Sequence, residues 1–112
     1  MEYKTAYQFL SSQSSLSDRR SFLALLKDGH PPIPGQVTNI LLTLKSIFQH
    51  LQGLDSIDRH LAQILYRLAY DSRKYFDSAK QQGTTWPPLL NEDLDRIAQA
   101  VQNIFANQWL DT

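Results

Sequence analysis

The stretch "SIDRHLAQILYRLAYDSRKYFDSAKQQ", residues 56–82, decides the fold. Ile57, Leu61, Ile64, Leu65, Leu68, Ser72, Tyr75, Phe76 and Ala79 recur along it at steps of three and four, the period of one helix face rather than of a strand. A helix this long with one apolar stripe must lay that stripe against other helices to remove it from water. The rest of the chain is therefore read for partners.

The partners lie on both sides. Upstream, Val37, Ile40, Leu41, Leu44, Ile47, Phe48 and Leu51 form a second stripe that predicts a helix from 37 to about 52, stopped by Gly53. Leu42 falls off this stripe, which suggests a second contact surface. Asp55 or Ser56 is the expected cap of the long helix. Downstream, Pro87 and Pro88 forbid an early start, so Asn91 is the expected cap of a last helix with Leu94, Ile97, Ala98, Val101, Ile104 and Phe105 on its inner face. Glu92 and Asp93 fall in its first turn, where negative charge meets the positive end of the helix dipole.

Two shorter helices are predicted at the amino terminus. Tyr3, Ala6, Tyr7 and Leu10 mark one over about 2–11, ended by "SSQSS", whose hydroxyls compete for backbone hydrogen bonds. Ser15 or Ser17 is then expected to cap the other, which carries Leu16, Phe22, Leu23, Leu25 and Leu26 and runs through Lys27 to a stop at Gly29. The expected architecture is all-α: a single domain over 1–112, a compact bundle of about five helices, three long and antiparallel with the two short amino-terminal ones closing it.

Composition bounds the function. A chain with 42% hydrophobic and 20% charged residues lies well away from the disordered class. Eleven Lys and Arg balance eleven Asp and Glu, so no net field draws the chain to nucleic acid or to an anionic membrane, and no net repulsion opposes self-association. There is no cysteine, which removes disulfides, thiolate catalysis and cysteine-held metals. The amino terminus lacks the basic and apolar blocks of a signal peptide, and no apolar run is long enough to span a bilayer, so a cytoplasmic protein is expected.

No residue set points to catalysis. His30, His50 and His60 share no helical pair or metal motif. "NEDLD" at 91–95 is explained by its place at a helix start, and no nucleophile elbow or glycine-rich phosphate loop occurs. "FLALLKDG" before "GQVTNILLTLKSI" has the order of a helix-turn-helix, but the turn is long and proline-laden and Lys45 is the sole cation of the would-be reading helix. An enzyme is not expected, nor is any cofactor or metal.

Binding is the better expectation, at two places. If the three long helices alternate in direction, "HPPIPGQ" (30–36) and "GTTWPP" (83–88) lie at the same end of the bundle. They gather His30, Ile33, Tyr75, Trp86 and Leu89 around stiff proline backbone, which suits a binding patch. Trp86 and Leu89 would equally serve as plugs over the core. The second place is one flank of the long helix, where Arg59, Tyr66, Tyr70 and Arg73 follow a seven, four, three spacing and supply the residue types enriched at interface hot spots.

"PPIPGQVTNILLTLK", "LAYDSRKYFDSA" and "TTWPPLLNEDLDRIA" together resemble a group of small uncharacterised helical proteins of cyanobacteria, over most of the chain from residue 30 onward. The resemblance implies a bacterial cytoplasmic setting and nothing about catalytic residues. The functional expectation is thus a non-enzymatic helical module for protein interaction or regulation, self-associating as a homodimer, with a protein partner at the Trp86 corner or the tyrosine flank. The alternative is a regulator that binds a small ligand in a pocket among Tyr75, Phe76 and Trp86.

Overall fold

The computed structural model describes residues 1–110, and among these every regular element is helical. Helices α1 (Tyr3–Gln13), α2 (Phe22–Lys27) and α3 (Gln36–Leu51) are followed by α4 (Arg59–Tyr66), a π-helical turn (Arg67–Asp71) and α5 (Ser72–Gln81), which together make one continuous rod, and then by α6 (Leu90–Ala106). Five rods thus form an all-α bundle.

Side-chain bonds fix their directions. The carbonyl of Met1 accepts from Ser46 Oγ and pairs with His50 Nε2, while Gln36 Nε2 donates to Gln13 Oε1, so α1 runs antiparallel to α3. The Gly53 amide donates to Asn107 Oδ1, joining the far ends of α3 and α6, so these two are parallel. The long rod runs against both. α1 packs on α3 and α4, and α6 packs on α3 and the π turn. The first helix therefore forms a fourth side of the bundle, and only α2 closes an end, lying against α5.

The core follows the predicted stripes. Ile40, Leu44, Ile47, Leu61, Leu65, Leu68 and Ile97 lose all contact with water, joined by Leu10, Phe22, Leu23 and Leu26 from the amino-terminal half. Such side chains stabilise by about 1.5–3 kcal/mol each before entropy is subtracted.

Four local expectations are corrected. The cap of α2 is Ser21, not Ser15 or Ser17: its Oγ accepts from the Ala24 amide and donates to the Ser15 carbonyl, so the chain turns through 14–20 before the helix begins. The cap of α4 is Asp58, which accepts from the Leu61 amide, in place of Asp55 or Ser56. Asn91 lies inside α6, whose start at Leu90 has no side-chain cap because apolar Leu89 holds the cap position; the Asn91 Oδ1 accepts from Arg73 instead. Phe105 is largely exposed; α6 instead turns Ala100 and Asn103 inward, and Asn103 is satisfied by Gln99 Nε2 and the Leu110 carbonyl.

The proline end is held by backbone. At the Ile33–Gln36 turn the Gln36 amide donates to the Ile33 carbonyl at 2.9 Å, and Gly35, at φ 84° and ψ −10°, occupies the left-handed position that a type II turn after Pro34 requires. The Gln36 side chain accepts from the Ile33 amide and donates to Gln13 Oε1 and the Arg20 carbonyl, tying the corner to α1 and to the start of α2. Gly29 closes α2 at φ 77° beside Thr84, where an added Cβ would lie 3.1 Å from Thr84 Oγ1.

Candidate functional site

The two proline corners are neighbours. Pro32, Ile33 and Val37 from one share a shallow cleft of about 220 Å³ with Pro87, Leu89 and Leu90 from the other. The residues expected around them do not form one patch, however. His30 is exposed on the α2 side, in a polar depression with Arg19, Lys27 and Asp28. Tyr75 is half-buried against the core. Trp86 occupies a separate cleft with Phe76, Lys80 and Pro88.

Trp86 is committed to the fold. Its ring stacks on Phe76 with centroids 5.5 Å apart and planes 14° from parallel, and its Nε1–H donates to the Phe76 carbonyl at 3.0 Å. One face and the polar tip of the indole are therefore used internally, and Trp86 fastens the loop after α5 onto that helix. A buried or half-buried indole N–H needs such an acceptor, and the Phe76 carbonyl in α5 supplies it.

The flank of the long rod is built differently. Tyr66 and Tyr70 touch each other, with centroids 5.0 Å apart, and remain 53% and 49% exposed. Tyr66 ends α4 and Tyr70 lies within the π turn, where an extra residue per turn shifts the phase of the rod. Leu68, Ser72 and Phe76, each four apart, are buried on the inner side of the rod, and the Ser72 hydroxyl donates to the Leu68 carbonyl. Turns of this kind occur often at functional sites. Nothing in the residue pattern marked it, since Gln36, Ile40, Leu44 and Phe48 are also buried at successive four-residue steps in the regular helix α3.

Arg73 braces this flank. Its guanidinium donates to Asn91 Oδ1 at 2.6 Å, to the Asn91 carbonyl at 3.0 Å and to Asp95 Oδ1 at 2.8 Å, and it lies 5.1 Å from the centre of the Phe76 ring. The fork is thus rigid and already neutralised by Asp95. Tyr70, Arg73, Lys74, Asp77 and Gln81, all on the same rod, line an open groove of about 580 Å³. Lys74 and Asp77 take part in no ion pair among the described residues. The groove therefore offers aromatic surface, one cation and one anion.

At the opposite end, the Tyr7 hydroxyl donates to Asp58 Oδ2, and the Tyr7 ring lies 6.0 Å from His60. This bond, with lesser help from desolvation and the carboxylate charge, pushes the Tyr7 hydroxyl up to about 12. The same bond, followed by that from the Leu61 amide, holds the Asp58 carboxyl below its ordinary value. His50 stands apart, beside Tyr3 and the Met1 carbonyl. Among the described residues no three His, Cys, Asp or Glu side chains converge where they could hold a metal ion.

No family model, curated protein or solved structure matches the chain. The class the coordinates define is an all-α bundle of five helical rods with a π turn in the longest. No helix in the described residues is long and apolar enough to cross a membrane.

Proposed function

We propose that this protein is a non-enzymatic helical docking module that presents the Tyr66–Tyr70 flank to a protein partner and also associates with itself. The observation that carries the reading is the state of the two tyrosines: paired in contact, half exposed, and set at the π turn beside a groove that the braced Arg73 also lines. Tyrosine offers large contact area at small entropic cost, and a braced neighbour lowers the cost of ordering on binding. Lys74 and Asp77 give the groove a charge at each sign, which favours a partner segment carrying both over an extended polyanion. A small-molecule pocket at Trp86 has less support, since Phe76 occupies one face of the indole and its N–H.

The test is affinity capture from source-cell lysate with the wild-type chain and with Tyr66→Ser/Tyr70→Ser, both checked for the same helical circular dichroism. A protein held by the wild type and lost from the double variant is the expected result. Equal capture by the two chains would contradict the assignment of this flank.

A further inference from the structure

The face between α3 and α6 carries apolar side chains that the bundle leaves unused. Leu42 is 61% exposed, Leu89 62% and Leu110 52%, and all three border the shallow furrow between these parallel helices. They are spread along its length. Leu89 lies at the proline end with Val37 and Thr38, Leu42 follows one turn on along α3, and Leu110 lies with Trp109 on the stretch that includes Lys45 and Asn103.

Charge is ordered along the same line. Glu92 and Asp93 lie at the proline end, with Arg96 bonded to Asp93 at 2.9 Å and 3.9 Å from Glu92, so that end keeps an excess of negative charge. Lys45 lies toward the other end, its ammonium 5.2 Å from the centre of the Trp109 ring and in no ion pair among the described residues. A two-fold axis crossing the furrow near Leu42, perpendicular to both helices, turns this pattern end for end. Leu42 then meets the partner subunit's Leu42, Leu89 meets the partner subunit's Leu110, and each Lys45 lies toward the acidic end of the other copy. The face is complementary to itself in both apolar and charged positions, which an isologous interface requires.

We propose that the α3–α6 face seats a second copy of this chain, antiparallel, in a two-fold dimer. The inference rests on the self-association in the proposed function and is independent of the tyrosine flank. Formal net charge of zero leaves no long-range repulsion to overcome.

Because the chain has no cysteine, introduced thiols report the geometry without background. Under mild oxidation Leu42→Cys should cross-link to itself, and a mixture of Leu89→Cys with Leu110→Cys should cross-link far more than either alone. Light scattering at tens of micromolar should return twice the 12.9 kDa chain mass for the wild type and the monomer mass for Leu42→Glu with unchanged circular dichroism. A monomeric wild type overturns self-association and this dimer with it. A dimer that persists in Leu42→Glu and does not cross-link through Leu42→Cys overturns this face while leaving self-association standing. Self-cross-linking of Leu89→Cys in preference to the mixed pair overturns the antiparallel arrangement.

Discussion

Trp86 and the Tyr66–Tyr70 pair are both aromatic surface on or beside the long rod, yet they are put to different uses. The indole stacks on Phe76 and gives its N–H to that residue's carbonyl. The tyrosines pack on each other and stay about half exposed. An aromatic ring near a proline corner is thus no guide to a binding site until its polar tip and both faces are accounted for. In this chain the ring that looks most conspicuous in the sequence holds the fold, and the less conspicuous pair stays about half exposed.

The sharpest way to break this contrast is stability. Trp86→Ala removes a half-buried ring together with the partner of the Phe76 carbonyl, and should cost about 2–3 kcal/mol in urea unfolding, somewhat below the range for fully buried aromatic residues. A loss under about 0.5 kcal/mol would put Trp86 in the same class as the tyrosines. Gly35→Ala should follow at about 1–2 kcal/mol, because the φ of 84° is strained for any residue with a Cβ even though open space surrounds it. Its effect separates backbone strain at the proline end from loss of packing there.

Arg73→Lys sharpens the comparison on the tyrosine side. Lysine keeps the charge and loses the fork that reaches Asn91 and Asp95 together, so about 1 kcal/mol of stability should go, discounted for the exposure of the pair. Tyr66→Ser/Tyr70→Ser should change stability by less than about 1 kcal/mol while abolishing partner capture.

The smallest effects concern the far end and depend on pH. The Asp58 carboxyl is held low, so its contribution is present above the ordinary carboxylate pKa and is lost as pH falls through the depressed value. Tyr7 is pushed up to about 12, so its contribution is complete below the ordinary tyrosine pKa of about 10 and is lost as pH rises from there through about 12. Thermal unfolding of Tyr7→Phe should show less loss than the wild type in both windows. Equal pH dependence of the two proteins would mean that this bond is not made in solution.

Much of the fold was legible in the amino-acid sequence, because stripes such as Ile40, Leu44, Ile47 and Leu61, Leu65, Leu68 are long and regular. Proximity of the two proline corners followed from helix direction alone. Caps were less legible: Ser15, Ser17 and Ser21 are alike in type, and only the bond from the Ala24 amide distinguishes Ser21. The start of α6 was misplaced because Leu89, a residue with no polar side chain, holds the cap position, so no capping side chain marks it. The π turn was not legible, because successive four-residue steps such as Leu68, Ser72 and Phe76 also occur in the regular helix α3, at Ile40, Leu44 and Phe48. The tyrosine flank could be named from its spacing, but the braced state of Arg73 and the internal use of Trp86 depend on long-range contacts that spacing does not encode.

The contrast between the two aromatic sites is tested most directly by a photoreactive phenylalanine placed at Tyr70 in one protein and at Thr85, beside Trp86, in another, each irradiated in source-cell lysate. An adduct to another protein from the Tyr70 position and none from the Thr85 position is the predicted result. Adducts from Thr85 alone, or equal yields from both positions, would contradict the account.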